Sequence, residues 1–436
     1  MSLSVLEAMS ILQPIAPDAV LLPSLPGCSQ AKGDEETKFL HKMLDTVASL
    51  VKSSSGTPRK QACAVSLSLG QSSCMMTIAF DFSNERTEDV RQLMQSIWRW
   101  MKEASVLPEE SAEKNQELFE IVFETSLNKF RRRLKEKGWC VDTLITKAME
   151  GDLSKPRKDF LLAAESMYND LLRQLDVDNP DFTKLANSLS IHVKNYASAK
   201  SKMGGFHWLR QYERQIDKPG VKCPGFVRYM DKLLKPYNQY TLFCEATRKP
   251  FIRTACSFPL TVTVLPPPDP PSCPVFESTI DLETRVRLYL KSAIHSYSPA
   301  AANSSYTDQV IDEYWQRIQQ VDRFPPPLGV HCECTLLRHH LNPHPPTPYP
   351  YIGVSRPPCF QCALYFQAYR ACADGGRILF WTRVGPHGER RACALPTGGS
   401  HGPDDAAGER VVKEMGIQLA KVIGYVLTQR IETLLE

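Results

Sequence analysis

No stretch of the 436-residue chain approaches the roughly 18 consecutive apolar residues that a membrane-crossing helix needs, so no membrane partner is expected. The opening Met1-Ser2-Leu3-Ser4 carries no basic segment, and Glu7 interrupts the first apolar stretch. A secretory leader is therefore not expected, and an intracellular, reducing compartment (cytoplasm or nucleus) is. Charge of one sign is also scarce: 52 basic against 48 acidic residues leave +4, with a pI near 8.3. Such a balance permits an anionic partner without arguing for one. No glycine-rich phosphate loop and no kinase signature is present.

Cysteine, by contrast, is plentiful. Fourteen cysteines in a chain expected to stay reduced call for an explanation other than disulfides. Most, such as Cys63, Cys140, Cys244 and Cys256, stand singly among apolar neighbours and read as small buried hydrophobes. Only Cys332, Cys334, Cys359 and Cys362 fall in pairs with metal-ligand spacing.

The remaining pattern separates into regions. Residues 1–33 lack periodicity. Phe39, Met43, Val47 and Val51 recur at helical spacing. Ala62–Leu69 and Cys74–Phe82, joined across Gly70, read as a β-hairpin. From Asn84 to about Tyr237 the pattern is helical almost throughout, with one helix running from Pro108 to Lys137-Gly138. The cluster Arg131-Arg132-Arg133 with Lys135 and Lys137 invites a nucleic-acid reading. It also fits that helix's C-terminus, where cations meet the negative dipole end, and this second reading is preferred. Phe258–Leu265 is strand-like and stops at the prolines of 266–271. Helical segments at 279–296 and 306–320 precede a second proline run at 325–327.

The segment that follows carries chemistry. His331-Cys332-Glu333-Cys334 opens one predicted helix, and Pro358-Cys359-Phe360-Gln361-Cys362 opens a second, with the short strand Tyr351–Val354 between them. A strand at Arg377–Val384, another at Ala392–Leu395 and a long helix over 406–434 complete the pattern. Cysteines three apart share one face of a helical turn, so both sulfurs can reach one ion. Pro358 suits the helix entry because no N–H is needed there. With His331 the set is three protein ligands, which leaves a fourth tetrahedral position for water. Two thiolates weaken zinc as a Lewis acid, so a carboxylate should stand beside that water, and Glu333 is the candidate. The competing reading for the same atoms is a closed structural site of four thiolates from Cys332, Cys334, Cys359 and Cys362, in a helical interaction protein without catalysis. His339, His340 and His344 are read as lying on a solvated helix end and a proline loop. Phe360, Phe380 and Trp381 are read as core packing.

At His331-x-Glu333 and Pro358-Cys359-x-x-Cys362 the chain resembles the cytidine-deaminase-like superfamily, and most of all its fungal and bacterial OTT_1508-like deaminase branch. The resemblance covers about residues 328–384. It implies an α/β (α+β) fold with a three-layer α/β/α core carrying a large, mostly helical addition. It further implies bound Zn2+ on His331, Cys359 and Cys362, a proton shuttle at Glu333, and Ser355 beside the substrate. The implied activity is hydrolytic removal of an amino group from a nucleobase, free or within RNA or DNA. On this basis 1–60 is a lead-in and helix, 61–83 the first hairpin of the core, 84–325 a helical insertion and 326–436 the zinc-binding core. The alternative takes a core strand from 258–265 and leaves the N-terminal half separate. A cysteine rather than a small residue stands before Glu333.

Overall fold

A computed structural model describes residues 34–54, 62–81, 87–107, 111–177, 179–216, 225–266, 279–319, 329–341, 346–372, 378–383, 393–394 and 406–435. The lead-in at 1–33, the proline runs at 267–271 and 325–327, His344 and the glycines at 375–376 lie outside them. In chain order the elements are α1 (Glu35–Ser54), β1 (Cys63–Leu69), β2 (Cys74–Phe80), α2 (Thr87–Val106), α3 (Ala112–Met149), α4 (Lys155–Leu175), α5 (Phe182–Ser201), α6 (Leu209–Ile216), α7 (Phe226–Leu233), α8 (Lys235–Ala246) and α9 (Pro250–Ser257). Then come β3 (Leu260–Val264), α10 (Thr279–Tyr297), α11 (Pro299–Ala302), α12 (Thr307–Gln319), β4 (Gly329–Val330), α13 (Cys332–His339), β5 (Tyr351–Val354), α14 (Phe360–Cys372), β6 (Trp381–Thr382), β7 (Cys393–Ala394) and α15 (Ala406–Leu435).

Two compact units result. The first joins 1–91 to 258–436, and the second is 92–257. The inserted unit is thus narrower than the 84–325 expected from the pattern. Residues 258–319 return to the first unit because β3 pairs with β2 and α10 and α12 pack against α15.

The first unit is built on a five-stranded sheet of order β3-β2-β1-β5-β6. The hairpin pairs β1 and β2 antiparallel from Cys63↔Phe80 to Leu69↔Cys74. Strand β5 joins β1 antiparallel, while β3 and β6 add parallel edges. The hairpin and the strand at 258–265, alternatives from sequence, therefore share one sheet. Strand alternation divides the side chains between two faces. Ala64, Ala79, Ile352 and Val354 enter a core with α13, α14, α10 and α15. On the other face Gly353 meets Leu44 of α1, and Tyr351 stacks on His41 at 3.8 Å between ring centroids. Helix, sheet and helix make three layers, an α+β fold. Asp45 of α1 ties the outer layer down by accepting the Val354 N–H at 2.8 Å, with the Tyr351 hydroxyl 3.2 Å away.

The second unit is helical. The long α3 packs against α4, α5, α6, α7 and α8, and Phe123, Phe130, Leu161, Tyr168 and Met230 lie in its core. Ser111 caps α3 and Asp181 caps α5, each accepting an N–H from its third helical residue. α3 does not end at Lys137-Gly138 but continues to Met149. Glycine at 138 is tolerated because buried Val141, Leu144, Ile145 and Ala148 resume the apolar stripe beyond it.

A Cβ at Gly353 would lie 2.6 Å from the Leu44 carbonyl oxygen, against backbone that cannot swing aside. Gly353→Ala is expected to lower stability by about 1–3 kcal/mol in thermal unfolding. His41 is held down to about 4 by burial. The unfolded imidazole takes its proton first, so this contribution is present above about pH 6.5 and is lost as pH falls toward 4. His41→Gln should flatten that limb of the melting temperature against pH.

Candidate metal centre

Two helix starts meet at the end of the sheet. His331 occupies the N-cap position of α13 in extended backbone (φ −78°, ψ 147°), directly after β4. Cys359 precedes α14 and Cys362 lies in its first turn. The convergence is set by the strands. β5 delivers the chain to Ser355, whose N–H donates to the Cys63 carbonyl and whose Oγ accepts the Cys63 N–H, both at 2.9 Å. On the neighbouring strand, Asp81 follows β2. Its Oδ1 accepts the Cys332 N–H at 2.9 Å and its Oδ2 the Ala62 N–H at 3.1 Å. Asp81 thereby caps α13, and Ser355 fixes the entry to α14.

The three expected ligands come together. Cys359 Sγ and Cys362 Sγ are 3.3 Å apart, Cys362 Sγ is 3.3 Å from His331 Nδ1, and all three donor atoms lie within 4.8 Å of one another. Around a tetrahedral ion with bonds of about 2.0–2.3 Å, donors stand about 3.3–3.8 Å apart. The spacing and the donor types, one imidazole and two thiols, fit zinc. Glu333 is beside them: its Oε1 lies 3.9 Å from His331 Nδ1, and the residue is 5% exposed.

The four-thiolate set is not assembled. Neither Cys332 nor Cys334 joins the His331–Cys359–Cys362 group among the described residues. The Cys332 thiol turns the other way and lies 3.3 Å from Glu333 Oε2, in a separate group with Asp81. Burial pushes the Cys332 thiol far up, and Asp81 and Glu333 push it further. Burial also carries Cys334 up to about 11, partly offset by a hydrogen bond with Cys362. Both shifts favour the neutral thiol.

The electrostatics suit a proton carrier. Burial raises Glu333 above the ordinary carboxylate range. His331 opposes this, while Asp81 and Cys359 add to it. At His331 burial pulls downward but is outweighed, first by the hydrogen bond and charge of Cys359, and the ring stands at about 9. Lys52 of α1, near Asp81 and Cys332, is pushed down to about 8 by burial and then by neighbouring Arg356.

The other residues singled out from sequence have packing roles. His340 bonds Ser66 Oγ through Nε2 at 2.8 Å and stacks on Phe380, so it is not on a solvated end. Phe380 is buried, Phe360 packs on the core, and Trp381 lies under the Arg370 guanidinium. Of the predicted strands, the described residues show Trp381–Thr382 and Cys393–Ala394. Sequence reading missed Asp81 and Asp45. A carboxylate closing a buried strand was the available signal for Asp81; nothing local marks Asp45.

The convergence of His-x-Glu and Pro-Cys-x-x-Cys at one end of a three-layer sheet unit is similar to the arrangement of cytidine-deaminase-like domains. More particularly, residues 330–390 match the model of the family described as OTT_1508_deam-like deaminase. No curated protein and no solved structure matches the chain. Among the described residues no helix is long and apolar enough to cross a membrane.

Metal analysis of purified protein should separate the ligands from their neighbours. His331→Ala and Cys359→Ser are expected to lose bound zinc, whereas Cys334→Ser keeps it. Loss at Cys334 with retention at His331 would reinstate the closed four-thiolate site.

Proposed function

We propose that this chain is a zinc-dependent hydrolytic deaminase acting on a nucleobase in a nucleoside, nucleotide or nucleic acid. One observation carries the reading. His331 Nδ1 and the sulfurs of Cys359 and Cys362 converge beside a buried carboxylate, within the segment that matches a deaminase family. A closed structural site has no use for Glu333 there.

His331, Cys359 and Cys362 would hold the ion. Zinc there supplies Lewis acidity, which brings a water's pKa from about 15.7 toward neutrality. The protein's own contribution is proton movement. Glu333 accepts one proton from the water and returns it to the ring nitrogen as oxygen adds to the amidine carbon, C4 of cytosine or C6 of adenine. It then takes the proton of the new hydroxyl and gives it to the exocyclic amine. The carbon–nitrogen bond breaks and ammonia leaves. A carboxylate with a raised pKa holds and releases a proton near neutrality more readily than an ordinary one.

Asp81 and Cys332 orient this group: Asp81 fixes the start of α13, and the Cys332 thiol lies against Glu333 Oε2. Ser355 stands beside the substrate in this reading, with Arg356 and Lys52 close by. Free thiols at such a site are kept reduced in the cytoplasm or nucleus, the compartment this reading takes for the protein.

Glu333→Gln is expected to abolish ammonia release, by about a hundredfold or more, while zinc stays bound. Ammonia release over nucleosides, nucleotides and single-stranded oligomers finds the substrate. A Glu333→Gln variant as active as wild type would refute the proton-carrier role.

A further inference from the structure

The helical unit carries charge that its fold does not explain. Within 92–257 there are 28 basic and 21 acidic residues, a net +7. The rest of the chain holds 24 basic and 27 acidic, a net −3. The excess is concentrated: from Lys184 to Arg253 stand 14 basic residues and 4 acidic ones. A chain that is nearly balanced overall is thus divided into a basic and a mildly acidic unit.

The Arg131-Arg132-Arg133 cluster belongs to this unit, and its helix-end reading fails. α3 runs on to Met149, so these residues sit more than three turns before its C-terminus. The dipole's influence is confined to the last turn. The three arginines have different fates. Arg131 folds onto α4, where its guanidinium donates to the Leu175 and Val177 carbonyls. Arg133 crosses to α7 and donates to the Lys232 carbonyl at 2.9 Å, and the Tyr229 hydroxyl donates back to the Arg133 carbonyl at 2.9 Å. Arg132 is exposed.

The crossing brings the cations of α3 and α7 together. Arg228 and Lys232 lie one turn apart on α7, both exposed. Lys200, from the end of α5, reaches the same helix and holds both oxygens of Asp231 at 2.7 and 2.8 Å. That carboxylate is therefore already neutralised. After burial, the neighbouring Arg132 keeps Arg133 below its usual value; burial, then Arg228 and Arg133, does the same for Lys232. Among the described residues, Arg132, Arg133, Arg228, Lys232 and Lys200 thus lie near one another with the Asp231 carboxylate, and like charges face each other across two helices. Such a cluster is held at a Coulombic cost that a polyanion would relieve.

We propose that Arg132, Arg133, Arg228 and Lys232, with Lys200 at their edge, form a docking face for the phosphodiester backbone of a nucleic-acid strand. The face selects phosphate rather than base, so it contributes affinity and a salt dependence without sequence preference. It deepens the deaminase reading by naming polymer as the partner, yet it stands on the helical unit alone.

The test is fluorescence anisotropy of the full chain with short labelled single-stranded RNA, single-stranded DNA and duplex, between about 50 and 200 mM salt. Arg228→Glu with Lys232→Glu is expected to weaken binding at least about tenfold. The slope of log K against log salt should fall by about 1.4, at about 0.7 for each single-strand phosphate that is no longer neutralised. Lys413→Glu with Lys421→Glu makes the same charge change on exposed positions of α15 and should leave affinity within about twofold. Circular dichroism checks that both variants fold. Cys359→Ser should bind as wild type does, which separates docking from catalysis: binding without ammonia release sinks the enzyme alone. The proposal is overturned if wild type binds none of the three probes, if polyglutamate competes as well as unlabelled strand, or if the α15 reversal costs as much as the α7 reversal.

Discussion

The site depends on holding two helix N-termini side by side at one sheet end. His331 and Cys359 are 28 residues apart, and neither α13 nor α14 alone can bring imidazole and thiols together. β1 does so, because it pairs with β2 on one side and β5 on the other. Asp81 follows the first of these neighbours and Ser355 the second. Each closes its strand end with hydrogen bonds, to Ala62 and to Cys63; Asp81 also caps the distant α13, and Ser355 leads into α14. The donors are thus pre-arranged by backbone, and little ordering is left for a ligand to supply.

That arrangement is braced from behind. α1 lies close enough to β5 that position 353 admits only hydrogen, and Asp45 satisfies the Val354 N–H immediately before the chain turns toward Ser355. A buried N–H without a partner would cost about 1–3 kcal/mol. Asp45 therefore does for β5 what Asp81 does for α13. Both fix main chain, and Asp81 in addition bears on the charge of its neighbours Cys332 and Glu333.

The motif was legible because its information is local: cysteines at i and i+3, a proline at a helix entry, a histidine two residues before a glutamate. The hairpin at 62–82 was legible for the same reason. What could not be read was long-range pairing. Nothing in Leu260–Val264 says that it lies parallel to Cys74–Ile78, so the hairpin and that strand looked like alternatives when they are neighbours. Helix length failed at Gly138 because one glycine weakens a helix only by about 1 kcal/mol, and the buried stripe from Val141 to Ala148 restores more than that. Ending α3 at Gly138 made the arginine cluster look like ordinary dipole compensation, and extending it to Met149 removes that explanation.

Cysteine spacing alone also left two answers, which protonation and direction resolve. Cys332 and Cys334 flank Glu333 within one helical turn, but at a spacing of two they leave the helix on different sides, unlike Cys359 and Cys362. Moreover, Cys332 faces two carboxylates, which raise the cost of its thiolate, and burial raises the Cys334 thiol despite its hydrogen bond with Cys362. A thiol beside carboxylates is a donor. The Cys332 sulfur meets Glu333 Oε2 in that role, while Glu333 Oε1 lies on the side of His331. A small residue at 332 would pack there without offering a hydrogen to the carboxylate. The departure at this position therefore sets a thiol against the Glu333 carboxylate, while the imidazole and the sulfurs that converge are those of His331, Cys359 and Cys362.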